Sequence, residues 1–330
     1  MKNTQGTSLF ARWLPCCAMA LALGLSAFDA AAQEFPTRPI RIIVPYAAGG
    51  FPDPISRALA PHMSAVLGQP VLVDNKPGGG GVPAMNELLG APSDGYQMLI
   101  ADAAQWAIQP ALRPGVYDPL KDFTPLGMVA TAIIFVTVRE DNPAKTFQEL
   151  VAIAKAKPGS LSYGSSGIGS LHQLFMEAVK AQFGLDILHV PYKGAVASVG
   201  ALVAGDIPIV IASTGTMAGH LQAGKVRRLL AATSQRMRIA PDVPATADVG
   251  MPDSFPGDEG FIIRSGTPKP VVDKLVGAVA KAVQAPDFAK LMERLFAEVT
   301  YLPPAEMMEK MRVDQARYAR AIKLAGVKGE

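Results

Sequence analysis

The stretch Arg41–Asp53, with the sequence RIIVPYAAGGFPD, contains the pattern that predicts the fold of this 330-residue chain. Ile42–Val44 is a short apolar run bounded by turn residues, which is typical of a strand buried in a sheet. Asp53 followed by Pro54 predicts a helix start, with Asp as the N-cap residue and Pro at the first helical position. A strand, a glycine turn and a helix N-terminus in this order present backbone N–H groups that can bind an anion.

The first 32 residues have the features of a secretory signal peptide. Lys2 and Arg12 supply positive charge, the apolar stretch Trp13–Leu25 follows, and the small residues Ala30–Ala32 precede Gln33. We therefore predict cleavage between Ala32 and Gln33 and export to the periplasm. A lipoprotein signal is the alternative, but the two cysteines, at positions 16 and 17, precede most of the apolar stretch instead of following it.

The cysteine positions, the net charge and the length of the apolar runs exclude several classes of protein. Both cysteines fall in the predicted signal peptide, so the mature chain has no disulfide, no thiolate nucleophile and no thiolate metal site. The net charge is +3, without a basic run, which argues against nucleic acid as a partner. No later stretch approaches the ~18 consecutive apolar residues of a membrane span, so we expect the exported chain to be soluble.

Strands that alternate with helices along the chain predict parallel sheets with helices on both faces. The opening unit is repeated at Leu161–Ser170, where a short strand precedes the glycine turn GSSGIGS and a helix with a capping box formed by Ser170 and Gln173. The apolar run Thr131–Val138 predicts one long strand that crosses between lobes. We predict two α/β lobes facing each other across a ligand cleft: a first lobe at 33–131, a second at 132–257, and a return to the first at 258–330.

No catalytic, metal or nucleotide motif is found in the sequence. The four histidines have no metal-ligand spacing, and a GxSxG elbow is absent, although Ser165 lies in a flexible glycine run that resembles one. Gly78–Gly81 lacks both the third glycine of a dinucleotide fingerprint, since position 83 is Pro83, and a following Gly-Lys-Ser/Thr. Asp258-Glu259 is interpreted as two solvated acids in a turn. We therefore expect no catalytic residue, no metal and no cofactor, and an enzyme is not expected.

A succession of motifs covers essentially all of the mature chain in the order of one family. These are FPTRPIRIIVPYAAGG at Phe35–Gly50, LGQPVLVDNKPGGGG at Leu67–Gly81, PSDGYQMLIA at Pro92–Ala101, YDPLKDFTPLGMVA at Tyr117–Ala130, KPGSLSYGSSGIGS at Lys157–Ser170, HVPYKG at His189–Gly194, QAGKVRRLLAATSQR at Gln222–Arg236, APDVPA at Ala240–Ala245 and GTPKPVV at Gly266–Val272. Each motif is weak alone, but together they resemble the periplasmic receptors of tripartite tricarboxylate transporters, also called Bug receptors.

The resemblance implies a two-lobed periplasmic-binding-protein fold of the Venus-flytrap, type II-like kind. It implies a monomer that captures a small carboxylate-bearing solute and delivers it to the membrane subunits of a transporter. A ligand-dependent sensor with the same cleft and no transport role is the alternative. The ligand-binding residues that the resemblance implies lie in the loop after the first strand, the loop after the third strand and the glycine loop of the second lobe with its neighbours. They are Tyr46, Ala48, Gly49, Gly50, Phe51, Asp53, Asp102, Ala103, Gln105, Ser165, Ser166, Gly167, Gly169, Ser170, His172, Tyr192, Lys193, Ser213 and Thr214.

Within these loops, specific donors and one cap are expected. We expect the backbone N–H groups of Gly49, Gly50 and Phe51 to bind the ligand. We expect Asp53 to cap the helix by accepting a hydrogen bond from the N–H of residue 55 or 56.

Three departures from the family pattern concern the ligand. Gly50-Phe51-Pro52-Asp53 replaces a Gly-Gly-x-Thr-Asp pattern, Asp102-Ala103 replaces Thr-Asn, and Ile211-Ala212-Ser213 replaces Phe-Asp-Asn. Polar contacts are lost, while Phe51 and Trp106 add apolar surface. We therefore predict a ligand that is bulkier and less polar than a citrate-like acid, such as an aromatic or aliphatic monocarboxylate. The alternative is that Phe51 and Trp106 pack within their own lobe and leave an ordinary pocket.

Overall fold

Two β-sheets form the framework of the chain in a computed structural model that describes residues 34–238 and 240–327. All helices and strands described here lie in the compact unit that begins at Arg38, and the described residues before it belong to a separate unit. The strands are β1 (Ile40–Val44), β2 (Val71–Asn75), β3 (Gln97–Ala101), β4 (Phe123–Ala132), β5 (Ile134–Arg139), β6 (Leu161–Ser165), β7 (Ile187–Pro191), β8 (Ile209–Ser213), β9 (Val226–Ala231), β10 (Gly257–Arg264) and β11 (Glu298–Leu302). The predicted signal peptide and its cleavage site lie outside the described residues.

The helices cover both sheets. They are α1 (Pro52–Leu67), α2 (Val82–Gly90), α3 (Gln109–Leu112), α4 (Phe147–Ala156), α5 (Leu171–Phe183), α6 (Ala195–Ala204), α7 (Thr214–Gln222), α8 (Lys269–Val283), α9 (Pro286–Arg294) and α10 (Pro304–Ala325). Short 3₁₀ turns occur at Gly79–Gly81 and Ala247–Val249, and a π-helical turn, Ala104–Ile108, precedes α3. Within the described part of the chain, no helix combines the length and apolar character of a membrane span.

The first lobe is built on a six-stranded sheet in the order β11-β4-β10-β3-β1-β2, and the second on a five-stranded sheet in the order β7-β6-β8-β5-β9. The prediction of parallel sheets is correct for β2-β1-β3 and for β7-β6-β8 but wrong elsewhere. β10 is antiparallel to β3 and β4, and β5 is antiparallel to β8 and β9. Both strands enter their sheets after the chain has passed from one lobe to the other, so no helical crossover fixes a parallel direction.

The predicted single strand Thr131–Val138 is in fact two strands. β4 ends at Ala132 and pairs with β10, whereas β5 begins at Ile134 and pairs with β8 and β9, so the chain changes sheets at Ile133. The sequence pattern missed most of β4, which contains a proline and a glycine, and all of β11, whose residues are half-buried or exposed. The lobe boundaries 33–131, 132–257 and 258–330 stay a prediction that this change of sheets supports.

The C-terminal helices connect distant parts of the chain. α8 and α9 pack against α1 of the first lobe. The longest helix, α10, contacts β4 and the π-helical turn in the first lobe and also α5 of the second. It therefore packs against elements on both sides of the predicted cleft.

Candidate functional site

A cavity lies between the two lobes. Its first-lobe residues are Tyr46, Ala47, Gly50, Phe51, Pro52, Asp102, Ala132, Gly257 and Glu259. Its second-lobe residues are Ile134, Ser166, Leu171, His172, Gly194, Ala195, Val196, Ser213 and Thr216. The cavity follows from the topology, because the loops after β1, β3, β6 and β8 all leave the carboxyl ends of their strands towards it.

Three helices of the second lobe begin at this cavity. Leu171–His172 are the first residues of α5, Ala195–Val196 the first of α6, and Thr216 lies in the first turn of α7. The first N–H groups of a helix have no partner within the helix, and its N-terminus carries partial positive charge. Each such end favours an anion by roughly 0.3–1 kcal/mol, and by up to ~2 kcal/mol when partly buried. The second-lobe wall is therefore suited to a negatively charged group.

The glycine turn of the first lobe differs from the prediction. α1 begins at Pro52 instead of Pro54, so Asp53 lies in the first turn and is not the N-cap residue. The carboxylate of Asp53 accepts hydrogen bonds from the N–H of Gly49, at 3.0 Å, and from Nε of Arg57, at 2.9 Å. The expected cap to residue 55 or 56 is therefore wrong.

This arrangement also removes donors from the cavity. The N–H of Gly49 is taken by Asp53, and the N–H of Gly50 donates to the carbonyl oxygen of Ala47 at 3.1 Å. Two of the three backbone donors predicted to bind the ligand are thus used to hold the turn itself. Gly50 is buried, where an unpaired N–H would be costly, whereas Gly49 is exposed.

Asp102 places a buried carboxyl group on the first-lobe wall. The hydroxyl of Tyr46 donates to it at 2.5 Å, and the N–H of Ala104 donates at 2.6 Å. Burial disfavours the charged form and raises the pKa of Asp102 to about 6. Burial, together with the charges of Asp102 and Glu259, also raises the pKa of Tyr46 well above its usual value, so its hydroxyl stays a donor.

Glu259 is the cavity residue that the sequence interpretation misplaced. Asp258 and Glu259 lie in β10, not in a turn, and are only 4% and 3% exposed. Within the described residues, Oε2 of Glu259 has no hydrogen-bond partner. Burial raises the pKa of Glu259 well above its usual range, and the negative charges of Asp102 and Asp258 add to the shift. The run GFIIR directly after the two acids was the available signal, since it predicts a buried central strand that begins near them.

The second-lobe wall contains a Ser–His pair. Oγ of Ser166 lies 2.6 Å from Nδ1 of His172, and burial lowers the pKa of His172 to about 4, so the imidazole is neutral at pH 7. Ser165, in contrast, is fully buried at the end of β6, where its Oγ lies 2.7 Å from Nε2 of His189. Its predicted position in a flexible glycine run is wrong.

The predicted capping box of α5 is half formed. Oγ of Ser170 accepts from the N–H of Gln173 at 3.2 Å, but the side chain of Gln173 accepts from the N–H of Gly169 instead. Through these bonds the glycine loop is fixed to the start of α5. The loop itself therefore contributes fewer free donors than its sequence suggests.

The structure brings some of the predicted residues together and separates others. Those that line the cavity are Tyr46, Gly50, Phe51, Asp102, Ser166, His172 and Ser213. Those that lie outside its lining are Ala48, Gly49, Asp53, Ala103, Gln105, Ser165, Gly169 and Thr214. Thr214 illustrates why: its hydroxyl donates to the carbonyl oxygen of Phe296 at 2.9 Å and so faces away.

A second cavity adjoins the first and shares Tyr46, Ala47, Ser166 and Gly194 with it. It accounts for the remaining predicted residues, which are Gly167, Ser170, Tyr192 and Lys193. Arg113 and the glycine turn at Gly78–Gly81 also line it. The basic side chains of this region therefore belong to the second cavity, whereas the buried acids belong to the first.

Phe51 and Trp106, the two aromatic residues predicted to add apolar surface to the pocket, have different positions. Phe51 lines the first cavity, whereas Trp106 is 1% exposed in the hydrophobic core and donates from Nε1 to Asp314 at 3.1 Å. The predicted contribution of Trp106 to an apolar pocket is therefore wrong. The contribution of Phe51 stays a prediction.

Comparison with known proteins identifies the family. The model of the family described as "Tripartite tricarboxylate transporter family receptor" matches residues 55–327. The chain belongs to this family. It is 35% identical over 283 residues to the UPF0065 protein in the gbd 5' region of Cupriavidus necator, covering 85% of this chain and 86% of that protein.

Solved structures agree with this assignment. The periplasmic binding protein BugD matches with a TM-score of 0.84 and 30% identity, over 90% of this chain and all of that one. Rpa4515 of R. palustris, solved with adipate, matches with a TM-score of 0.84 and 28% identity, over 89% of this chain and 99% of that one. The receptor of the tripartite tricarboxylate transporter family thus has the expected two-lobed periplasmic-binding-protein fold.

Replacing Asp102 by Asn is expected to stabilise the ligand-free receptor at pH 7 by up to ~3 kcal/mol. The pKa of Asp102 is raised from its ordinary 3.8 to about 6 in the folded protein. Above pH 6 the side chain is therefore ionised in both the folded and the unfolded state, and the folded state carries the cost of the buried charge. Stability from this group is present below pH ~4 and is lost as the pH rises towards 6.

Urea unfolding between pH 4 and 7 tests this expectation. Asp258, Glu259 and Tyr46 interact with Asp102 and are present in both proteins, so the difference between wild type and variant reports Asp102 together with its coupling to these groups. That difference should grow from pH 4 to 6 and then stay constant. A difference that is independent of pH would contradict the assigned shift.

Proposed function

We propose that this receptor captures a small carboxylate-bearing solute in the cavity between its lobes and delivers it to the membrane subunits of a tripartite tricarboxylate-type transporter. The observation that carries the proposal is the convergence of three second-lobe helix N-termini, those of α5, α6 and α7, on one interlobe cavity. The adipate bound to a family neighbour supports a carboxylate ligand class.

The carboxylate binds most favourably at the start of α5. The N–H groups of Leu171 and His172 are the first two of that helix and lie on the cavity wall, with the hydroxyl of Ser166 beside them. Hydrogen bonds from such donors to a charged acceptor contribute about 1.5–3 kcal/mol each. Phe51 and Ile134 supply apolar surface for the rest of the solute, in keeping with a monocarboxylate that is less polar than citrate.

Closure of the lobes couples capture to delivery. A solute that touches both walls gains its full set of contacts only when the lobes are together, so binding shifts the population towards the closed form. Membrane subunits that recognise the closed form would then receive a loaded receptor. We place this cycle in the periplasm, after cleavage between Ala32 and Gln33.

Calorimetric titration of the processed protein with paired acids and their primary amides tests ligand capture. Suitable pairs are 3-phenylpropanoate with its amide, 4-methylpentanoate with its amide, and adipate with its diamide. We expect at least one acid to bind with a 1:1 stoichiometry and its amide to bind at least ~10-fold more weakly. Failure of every acid, or equal binding of the amides, would contradict the proposal.

Uptake of the radiolabelled acid by cells tests delivery. Deleting the receptor gene should abolish high-affinity uptake, and expression of the wild-type receptor should restore it. Unchanged uptake in the deletion strain would overturn the transport role while leaving ligand capture intact.

A further inference from the structure

The first-lobe wall of the cavity has the opposite electrostatic character to the second. Its polar groups are the carboxyls of Asp102 and Glu259 and the hydroxyl of Tyr46. Among the described residues that line this cavity there is no lysine or arginine. Nζ of Lys310, on α10, is bound to Asp258 and Asp314, at 2.6 and 3.3 Å.

Glu259 is the stronger indication of a ligand. Its side chain is held in the central strand β10, the residue is only 3% exposed, and its Oε2 has no hydrogen-bond partner within the described residues. An unpartnered buried carboxyl oxygen is costly, and such groups are normally satisfied by a donor. Asp102, in contrast, already accepts from Tyr46 and Ala104, which fixes its carboxyl at the same wall.

We propose that Glu259 and Asp102 form a subsite for a protonated amino group, so that the solute is an amino acid or a similar zwitterion. This inference rests on the proposed function, since it assigns the solute's carboxylate to the helix N-termini of the opposite wall. An ammonium group supplies the donor that Oε2 of Glu259 lacks, and its positive charge favours the ionised forms of the two carboxyls, which burial disfavours in the empty cavity.

The same wall discriminates against other acids. A di- or tricarboxylate that spans the cavity would place a second negative charge against Asp102, whose pKa of about 6 leaves it ionised at pH 7, and like-charge repulsion disfavours this. We therefore expect this receptor to reject straight dicarboxylates such as adipate. The receptor therefore distinguishes solutes both by their carboxylate and by the chemical group at their other end.

Titration with pairs that differ only in the amino group tests the inference. The probes are L-phenylalanine with 3-phenylpropanoate, L-leucine with 4-methylpentanoate, and L-glutamate with glutarate. We expect the amino member of the best-binding pair to bind about 10- to 100-fold more tightly. The Glu259→Gln variant should lose most of that preference for the amino member. The exposed Glu309→Gln serves as the matched control.

The outcomes separate this inference from the proposed function. Equal or tighter binding of the amino-free acids would overturn the amino subsite and leave carboxylate capture standing. If Glu259→Gln weakened the binding of both members of a pair equally, the amino subsite would also be overturned, because that result indicates a structural role for Glu259. Absence of binding by all six probes would contradict the proposed function and the inference together.

Discussion

Replacing Gly215 by Ala is expected to weaken solute binding by roughly 5- to 150-fold, the equivalent of the about 1–3 kcal/mol that overpacking costs. Gly215 lies in the first turn of α7 in the second lobe, and a Cβ there would meet Cδ2 of Phe51 in the first lobe at 2.7 Å. The same Cβ would lie 3.5 Å from Cβ of Leu295. Phe51 is 5% exposed, so its ring has little space to move. The substitution therefore acts as a wedge between the lobes.

Gly219 provides the matched control within the same helix. A Cβ at Gly219 has no neighbour within 4 Å, so Gly219→Ala should leave binding unchanged and stabilise α7 by up to ~1 kcal/mol. Calorimetry with the tightest-binding probe, and small-angle scattering of the ligand-free variants, give two measurements. Gly215→Ala should bind weakly and show the larger radius of gyration. Wild-type affinity in Gly215→Ala would contradict the Phe51–Gly215 contact as a closure contact.

Replacing Lys310 by Met is expected to lower the free energy of unfolding by about 3–5 kcal/mol. Nζ of Lys310 on α10 lies 2.6 Å from Asp258 in β10 and 3.3 Å from Asp314, and the two carboxylates are 6% and 1% exposed. Removing the ammonium group leaves two buried carboxylates near each other. Arg317, whose guanidinium is 3.6 Å from Asp314, compensates only one of them.

Lys269→Met is the control for this prediction. Lys269 pairs with Asp273 on the surface, where both side chains are more than half exposed, so its loss should change stability by no more than ~0.5 kcal/mol. Urea denaturation of the two variants measures the contrast. Adding Asp258→Asn to Lys310→Met should recover part of the loss. Equal unfolding midpoints for Lys310→Met and Lys269→Met would show that the buried network contributes little.

The sequence predicts local elements well because their signals are local. The apolar run in β1 is where the pattern places it, and Ser170 caps α5 as the sequence predicts. Strand direction is not a local property: β5 and β10 contain ordinary apolar patterns, and each is antiparallel to its neighbours in the sheet that it enters from the other lobe. Sequence periodicity therefore indicated individual strands such as β1 without fixing the order and direction of strands in the sheets.

The candidate site could be predicted only in part, because some of its residues are positioned by parts of the chain that are distant in sequence. The loops after β1 and β6 carry a visible glycine signature, and each contributes residues to the cavity. Glu259 was missed because an acidic pair suggests a solvated turn, whereas its burial depends on strands paired from distant parts of the chain. Trp106 was misplaced because its partner, Asp314, lies 208 residues away on α10.

A crystal structure of the receptor with its tightest-binding acid is the decisive test of carboxylate binding at the start of α5. We expect one solute molecule between the lobes, with its carboxylate oxygens about 2.7–3.2 Å from the backbone nitrogen of Leu171 or His172. A solute whose carboxylate faces Asp102 and Glu259, or one bound outside the interlobe cavity, would contradict it.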